Sequence, residues 1–249
     1  MDKAVRGNVE KLNMGNPRWK TLFWDLDGTI TDPRGGIISA YFEFLREANL
    51  AVPAEADLLW VIGPPLRECM STLLKTNDKT VIEAAVVRYR FWYVDKGLMY
   101  RDTPYDGIKA LLVDLRSAGY RMFVATAKAH NYARLILAHW GLDNLFEDIH
   151  GSEIDGTRGN KSDLLKWMTD RYQIPTNQQV LMIGDRKHDV IAAKKNNLAS
   201  AAIGYGYGSK EELTSAGADH YCPSIADLRA LLLDPSNVHG LRRRDASGV

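Results

Sequence analysis

The sequence has little cysteine and no surplus of charge of either sign. Its 249 residues include only Cys69 and Cys222, with no CxxC pair and no histidine at metal-ligand spacing. We interpret them as free thiols in a reducing compartment, with one long-range disulfide as the alternative. The 32 Lys and Arg residues nearly balance the 31 Asp and Glu residues, so no positive field attracts a phosphate backbone or an anionic membrane. We therefore expect neither nucleic acid nor a membrane as a partner.

Long apolar runs are also absent. The first residues lack the apolar core and cleavage site of a signal peptide, and no run reaches the ~18 apolar residues of a membrane span. We expect a cytoplasmic protein. Its length suits one large domain, or a core with one insertion, at roughly 100–200 residues per domain. Residues 1–18 and 234–249 are polar and without periodicity, which predicts a flexible N-terminus and a flexible C-terminal tail.

Between these ends, short apolar runs alternate with longer amphipathic stretches. The apolar runs predict strands at 21–26, 121–126, 179–184 and 198–204. The amphipathic stretches predict helices at 106–117, 131–140, 161–172 and 187–196. This alternation indicates an α/β fold with a doubly wound, mostly parallel sheet.

One interval interrupts the alternation. Residues 35–101 are helix-like and contain no convincing strand, and the interval is too long for a single strand-to-helix connection. We therefore expect an all-helical domain at 35–101, inserted into an α/β core formed by 19–34 and 102–233.

Acidic residues follow the first predicted strand. Asp25 and Asp27 stand two residues apart in the motif DLDGT, so in extended chain both side chains project to the same side, at the carboxyl edge where α/β sheets bind ligands. Two carboxylates so close repel each other unless a cation or a shared proton compensates. The alternative is a solvated turn at the end of the strand.

A second acidic pair, Asp185 and Asp189, follows the third predicted strand in GDRKHD. If a helix begins here, Asp185 caps it and Asp189 lies on the same face one turn later. Strand order can place this pair beside Asp25 and Asp27. Such a cluster of oxygen ligands favours Mg²⁺. A simple helix cap with a solvated acid is the alternative for either residue alone.

Two further positions could hold an anion. Thr126 ends the second predicted strand, and a hydroxyl there, beside the N–H groups of a following helix, can bind a phosphate oxygen. Lys161 begins an amphipathic stretch, where a lysine opposes the helix dipole unless it faces an anion. The segment Gly204–Gly208, GYGYG, lacks the spacing of a dinucleotide fingerprint. We expect it to form a turn loop over the site edge.

These residues occur in the order and spacing of the four motifs of a known superfamily. Over residues 21–233 the chain resembles the haloacid dehalogenase-like hydrolases, through Asp25-x-Asp27-Gly28-Thr29, Thr126, Lys161 and Gly184-Asp185-x-x-x-Asp189. The stretches 62–68, 151–163 and 182–190 look like the phosphoglycolate phosphatase branch, which includes members described as 5′-nucleotidases. The resemblance implies that 35–101 is a helical cap over the site.

The resemblance also implies a mechanism. Asp25 is the nucleophile that forms an aspartyl-phosphate, and Asp27 is the general acid and base. Mg²⁺ is held by the Asp25 carboxylate, the Asp27 carbonyl and Asp185, with Asp189 behind these ligands or contacting the ion through water. The phosphoryl oxygens are bound by the following residues: Gly28, Thr29, Thr126, Ala127 and Lys161.

The expected substrate is a small phosphorylated metabolite, hydrolysed by a monomer or weak homodimer. Arg67 is the candidate for binding a substrate carboxylate or second phosphate, because a guanidinium pairs with such anions in a bidentate manner; a surface salt bridge is its alternative role. A 5′-nucleotidase is the alternative activity. A phosphomutase and a non-catalytic binding module of the same fold are more distant alternatives.

Overall fold

The computed structural model describes residues 18–233, which contain eight strands and nine α-helices. The strands are β1 Thr21–Trp24, β2 Thr31–Asp32, β3 Thr103–Pro104, β4 Arg121–Ala129, β5 Asp148–Ser152, β6 Val180–Gly184, β7 Ala199–Ile203 and β8 His220–Cys222. The helices are α1 Arg34–Glu47, α2 Leu66–Leu74, α3 Lys79–Arg90, α4 Ile108–Ser117, α5 His130–His139, α6 Lys161–Arg171, α7 Lys187–Lys195, α8 Lys210–Ser215 and α9 Ile225–Leu233. The tail at 234–249 and the first 17 residues of the predicted N-terminal segment lie outside the described residues.

The main sheet is six-stranded and parallel, in the order β5-β4-β1-β6-β7-β8. Strands β4 and β5 follow β1 on one side of the sheet, and β6, β7 and β8 lie on its other side. Leu22 in β1 pairs with Met122 in β4 and with Leu181 in β6. The carboxyl ends of these three central strands therefore lie together, where the direction of winding reverses.

Helices cover both faces of this sheet. Successive β1 side chains alternate: Leu22 and Trp24 pack with α4, α5 and α9, whereas Phe23 packs with α6 and α7. Helix α4 shows the cause, because its apolar residues recur at helical spacing and all four are buried: Ile108, Leu111, Leu112 and Leu115. The predicted doubly wound α/β fold is confirmed.

The sequence analysis did not predict the two edge strands β5 and β8, and it ended the internal strand β4 too early. Strand β5 contains one large apolar residue, Ile149, and β8 has only three residues, so neither produces an apolar run. Strand β4 continues to Ala129, past its predicted end at Thr126. The longer strand places Lys128 beside Thr126 at the carboxyl edge of the sheet.

The helical elements between β2 and β3 surround a hydrophobic cluster of their own. Helices α1, α2 and α3 and a π-helical turn at Phe91–Asp95 contribute buried residues to it. Ile136 of α5 joins this cluster from the core. Strands β2 and β3 pair antiparallel, with Thr31 opposite Pro104, so the chain leaves and re-enters the core at adjacent points.

Cys69 and Cys222 are both buried and unpaired, as the free-thiol interpretation predicts. Within residues 18–233, no helix combines the length and the apolar composition needed to cross a bilayer.

Candidate active site

A cavity of about 270 Å³ lies between the carboxyl edge of the main sheet and the helical segment. Its floor comes from loops and strand ends after β1 and β4, including Asp25, Asp27 and Thr126. Its other wall comes from α1, α2, α3 and the loop at 61–65. The site is therefore assembled where open α/β sheets bind ligands.

Asp25 follows the last residue of β1, and both of its carboxylate oxygens are engaged. Oδ2 lies 2.6 Å from Nζ of Lys161, and Oδ1 accepts a hydrogen bond of 2.7 Å from the backbone N–H of Leu26. The side chain is almost completely buried. Asp25 is thus held in one orientation at the floor of the cavity.

Lys161 is the first residue of α6, as predicted. Asn160 caps this helix by accepting a hydrogen bond of 2.9 Å from the N–H of Ser162. The Lys161 ammonium also lies 2.5 Å from Oδ1 of Asp189. Burial acts to lower the pKa of Lys161, but the two carboxylates outweigh it and raise the pKa. Lys161 therefore stays charged and joins Asp25 to Asp189.

Asp185 is completely buried at the end of β6. Its Oδ2 accepts a hydrogen bond of 2.7 Å from the N–H of Tyr207, and Oδ1 lies 3.4 Å from the hydroxyl of Thr29. Burial, followed by repulsion from Asp25 and Asp189, raises the pKa of Asp185 well above its usual value. No Lys or Arg of residues 18–233 forms an ion pair with it.

The carboxylate cluster fits a divalent cation. Asp25, Asp185 and Asp189 each present an oxygen within 4.8 Å of the other two, and hard oxygen ligands with unbalanced negative charge suit Mg²⁺. Both oxygens of Asp189 already have partners: Oδ1 pairs with Lys161, and Oδ2 accepts a hydrogen bond of 3.0 Å from the N–H of Arg186.

One expectation about this loop was wrong. Asp185 does not cap α7. Arg186 occupies the N-cap position, and its N–H donates a hydrogen bond to the carboxylate of Asp189. The physical reason is that the Asp185 side chain faces Tyr207 and Thr29 instead of the first turn of α7.

Asp27 faces a different cation from Asp25. Its Oδ1 lies 2.8 Å from Nζ of Lys128, which also lies 2.9 Å from Oδ2 of Asp102. Burial raises the pKa of Asp27 to about 6, although the ammonium of Lys128 acts in the opposite direction. A carboxyl with a pKa in this range can release and accept a proton near neutral pH.

The expected phosphate-binding residues divide into two groups. Thr126, Ala127 and Lys161 are buried or half-buried around the cavity floor, and the first two line it. Gly28 and Thr29 do not line the cavity. Their N–H groups bond within the turn, to Thr31 and Leu26 respectively, so the structure does not bring these two backbones to the expected phosphate position.

Gly28 lies directly against the carboxylate of Asp185. Its φ is +84°, and a Cβ there would lie 2.2 Å from Oδ2 of Asp185. The position therefore requires the absence of a side chain, because the carboxylate cluster occupies that space.

Arg67 lines the cavity, but its guanidinium already has partners. It pairs with Glu83 through two hydrogen bonds of 2.5 and 2.8 Å, and it also donates to the carbonyl of Ile154. This is the salt-bridge alternative of the sequence analysis. Within the described residues, the structure does not place Arg67 as a free anion receptor.

Three site residues escaped the sequence analysis as functional candidates. Arg90 lines the cavity, and its buried Nε has no hydrogen-bond partner among the described residues. Lys128 and Asp102 form the ion pairs around Asp27. Lys128 carried one signal, because residues two apart in a strand face the same side and it follows Thr126 by two. Asp102 and Arg90 carried none.

Comparison with known proteins connects this geometry to a family. The model of the haloacid dehalogenase-like hydrolases matches residues 22–203. A 5′-nucleotidase of Pseudomonas aeruginosa is 39% identical over 86% of this chain and 96% of its own. A tyrosine-protein kinase PtkA of Mycobacterium tuberculosis is 38% identical over 85% of this chain and 72% of its own.

More distant relatives and solved structures agree with these matches. A phosphoglycolate phosphatase of Colwellia psychrerythraea is 27% identical over 80% of this chain and 90% of its own. The structure of a predicted phosphatase from Clostridium acetobutylicum superposes with a TM-score of 0.80 at 35% identity, and covers 85% of this chain and 96% of that chain.

Proposed function

The chain belongs to the haloacid dehalogenase-like hydrolases, as a phosphatase similar to the phosphoglycolate phosphatase branch, and we propose that it hydrolyses phosphomonoesters through an aspartyl-phosphate on Asp25. The observation that carries this proposal is the position of Asp25. It is a buried carboxylate that lies on the cavity floor, oriented by Lys161 and the N–H of Leu26.

The reaction proceeds in two displacements. In the first, an Asp25 oxygen forms a bond to phosphorus, the bond to the ester oxygen breaks, and that oxygen takes the proton of the Asp27 carboxyl. In the second, water attacks phosphorus and gives a proton to Asp27, and the bond to Asp25 breaks. The products are the alcohol, inorganic phosphate and the original carboxylate.

The carboxylate cluster supports a Mg²⁺ cofactor. Asp25 and Asp185, with the backbone carbonyl of Asp27, would hold the ion, and Asp189 would contact it through water. When bound, Mg²⁺ supplies charge neutralisation for the phosphoryl group. Lys161, Thr126 and Ala127 would orient the phosphoryl oxygens, since positioning and electrostatics carry most of phosphoryl transfer.

The helical segment at 35–101 would act as a cap that excludes water and selects the leaving group. Arg90 supports a leaving group that carries an anion, because its half-buried guanidinium lines the cavity and has no acidic partner within 18–233. One terminal nitrogen donates to the carbonyl of Ile154, and Nε has no hydrogen-bond partner among these residues. A small phosphorylated acid similar to phosphoglycolate is therefore the proposed substrate class.

A 5′-nucleotidase activity is the second candidate. Tyr41, Tyr89 and Tyr132 are among the tyrosines that line the same cavity, and their rings could pack against a nucleobase. The 39% identity to a named 5′-nucleotidase also favours it.

Phosphate release from a panel of esters tests both candidates. The panel contains phosphoglycolate, nucleoside 5′-monophosphates, sugar phosphates and p-nitrophenyl phosphate, each with Mg²⁺ or with EDTA. We expect metal-dependent release that Asp25→Asn abolishes, whereas Asp170→Asn, on the exposed side of α6, retains it. Preference for phosphoglycolate that Arg90→Gln removes would support the first class, and preference for nucleotides the second. Release that survives Asp25→Asn would contradict the mechanism.

A further inference from the structure

Lys128 occupies the centre of a buried polar network beside Asp27. Its side chain is 6% exposed, and its ammonium pairs with Asp27 and with Asp102, whose own side chain is 0% exposed. The hydroxyl of Tyr93, in the π-helical turn, contacts the Lys128 ammonium and donates a hydrogen bond of 2.5 Å to Oδ2 of Asp102. None of Lys128, Asp102 or Tyr93 belongs to the motifs that define the proposed mechanism.

The network is firmly anchored on the side away from Asp27. The backbone carbonyl of Asp102 accepts a hydrogen bond of 2.7 Å from the indole of Trp140. A Cβ on Gly36 would lie 2.1 Å from Oδ1 of Asp102, so α1 packs directly against this carboxylate. The Lys128 ammonium is therefore fixed by groups that do not depend on Asp27.

Stability alone is a weak explanation for these charges. Burying an ammonium and two carboxylates carries a desolvation cost that apolar side chains of similar volume avoid. The arrangement does, however, place a fixed ammonium 2.8 Å from one oxygen of the carboxyl that must transfer a proton. A proton-transferring group works only when it is held at the correct distance and angle.

We propose that Lys128, held by Asp102 and Tyr93, positions the Asp27 carboxyl for proton transfer to the leaving group. This inference rests on the proposed function and deepens it. By pairing with Oδ1 at 2.8 Å, Lys128 restricts rotation of the carboxyl, so that the other oxygen faces the ester oxygen while the bond from phosphorus to that oxygen breaks. Lys128 is then a positioning residue that acts through Asp27.

Two esters with different leaving groups distinguish a role in proton transfer from a role in binding the phosphoryl group. An alkoxide leaves only with a proton, so phosphoglycolate needs a correctly placed Asp27, whereas p-nitrophenolate leaves without one. Single-turnover release of the leaving group, measured with excess enzyme and Mg²⁺, reports the first displacement alone. For Lys128→Met we expect a rate about 10²-fold lower with phosphoglycolate, the lower end of what a general acid contributes, and a change within about 3-fold with p-nitrophenyl phosphate.

A double-mutant cycle shows whether Lys128 acts through Asp27. With phosphoglycolate, Asp27→Asn and the double variant Asp27→Asn with Lys128→Met should have rates within about 3-fold of each other, since the second change removes a partner that has already lost its function. Lys166→Met is the matched control, because Lys166 is an exposed α6 lysine paired with Asp170; both of its rates should equal those of the wild type.

Each outcome decides the inference. Equal losses with the two esters, or additive losses in the cycle, would show that Lys128 serves the phosphoryl group itself and would overturn the inference while the proposed function stands. Wild-type enzyme that releases no p-nitrophenolate would overturn both. If Lys128→Met does not fold, Tyr93→Phe removes only the hydroxyl that fixes Lys128. It should lower the phosphoglycolate rate about 3- to 10-fold without affecting p-nitrophenyl phosphate, and the absence of that selectivity would overturn the inference.

Discussion

At the scale of single residues, the carboxylate cluster depends on glycines in the loop after β7. The N–H of Tyr207 donates to Asp185, and this short approach requires backbone without side chains on either side. A Cβ at Gly206 would lie 2.4 Å from Cβ of Asp185 and 2.4 Å from the carbonyl oxygen of Gly28. The GYGYG segment therefore forms the expected turn loop at the site edge and orients the buried acid.

Gly206→Ala should displace Asp185. We expect overpacking to lower the free energy of unfolding by about 1–3 kcal/mol and to weaken Mg²⁺ binding, because Asp185 can no longer keep its position. Chemical denaturation and Mg²⁺ titration by calorimetry measure the two effects.

Gly204→Ala provides the matched control in the same loop. Its Cβ would meet the hydroxyl of Tyr221, at 2.3 Å, and not the carboxylate cluster. This variant should lose stability and retain Mg²⁺ affinity. Equal Mg²⁺ affinity for the wild type and Gly206→Ala would show that the loop does not orient Asp185.

At the scale of elements, the first turn of α6 places Lys161. The side chain of Asn160 caps this turn, so the ammonium that bridges Asp25 and Asp189 sits on a helix end of fixed geometry. The N-cap of α6 therefore also holds the Lys161 ammonium in position.

Asn160→Ala should cost about 1 kcal/mol of unfolding free energy, the usual effect of losing an N-cap, and should also lower kcat because Lys161 is held less firmly. Thermal denaturation and steady-state kinetics measure these effects, and Asn160→Ser should restore both. Asp78→Ala removes the N-cap of α3, outside the carboxylate cluster, and should lower stability alone. A kcat loss of the same size in Asp78→Ala would contradict this prediction.

Asp148 of β5 contacts side chains of the neighbouring helices. The carboxylate pairs with Arg134 of α5 and accepts a hydrogen bond from Tyr172 at the end of α6; His150 also faces it. Partial burial acts to raise the pKa of Asp148, but the hydrogen bonds from Tyr172 and Arg134 outweigh it and lower the pKa to about 2.

This depressed pKa predicts a pH dependence of stability. In the unfolded chain Asp148 titrates near the ordinary aspartate pKa of 3.8, so the folded state binds fewer protons than the unfolded state between pH 2 and 3.8. The stabilisation is present above pH 3.8 and is lost as the pH falls from 3.8 towards 2. Urea denaturation over this range should show a shallower loss for Asp148→Asn than for the wild type. The same loss of unfolding free energy with falling pH in both proteins would contradict a lowered pKa for Asp148.

At the scale of the whole molecule, the buried negative charge couples folding to a cation. Asp25, Asp185 and Asp189 come from two strand ends and a helix, and only the folded chain brings them within 4.8 Å of one another. A cation that binds this cluster binds the folded state alone and must stabilise it.

Mg²⁺ should therefore raise the melting temperature of the wild type, and EDTA should reverse the effect. At a concentration about 100 times the dissociation constant, the expected stabilisation is about 2.7 kcal/mol. Asp185→Asn should abolish the shift measured by calorimetry, whereas Asp170→Asn on the surface should retain it. The same Mg²⁺ shift in Asp185→Asn would exclude this cluster as the binding site.

Features that depend on neighbouring residues could be predicted from the sequence. Apolar runs and helical spacing identified the four central strands and the four helices α4 to α7, because burial on one face imposes a period on the chain. The motif residues Asp25, Asp27, Thr126, Lys161 and Asp185 were also predicted from the sequence, since strand ends and helix starts fix where such side chains stand.

The contacts between charged side chains could not be predicted from the sequence, because they depend on how the elements pack. Lys128 lies between Asp27 and Asp102, and Glu83 pairs with Arg67. Arg90 lines the cavity, and its Nε has no hydrogen-bond partner in the part of the chain that the structure describes. None of these pairings has a periodic signal, because the partners lie far apart in the sequence and meet only through strand order and the packing of the helical segment on the core. The energy of an ion pair depends on distance and burial, and folding alone sets both quantities.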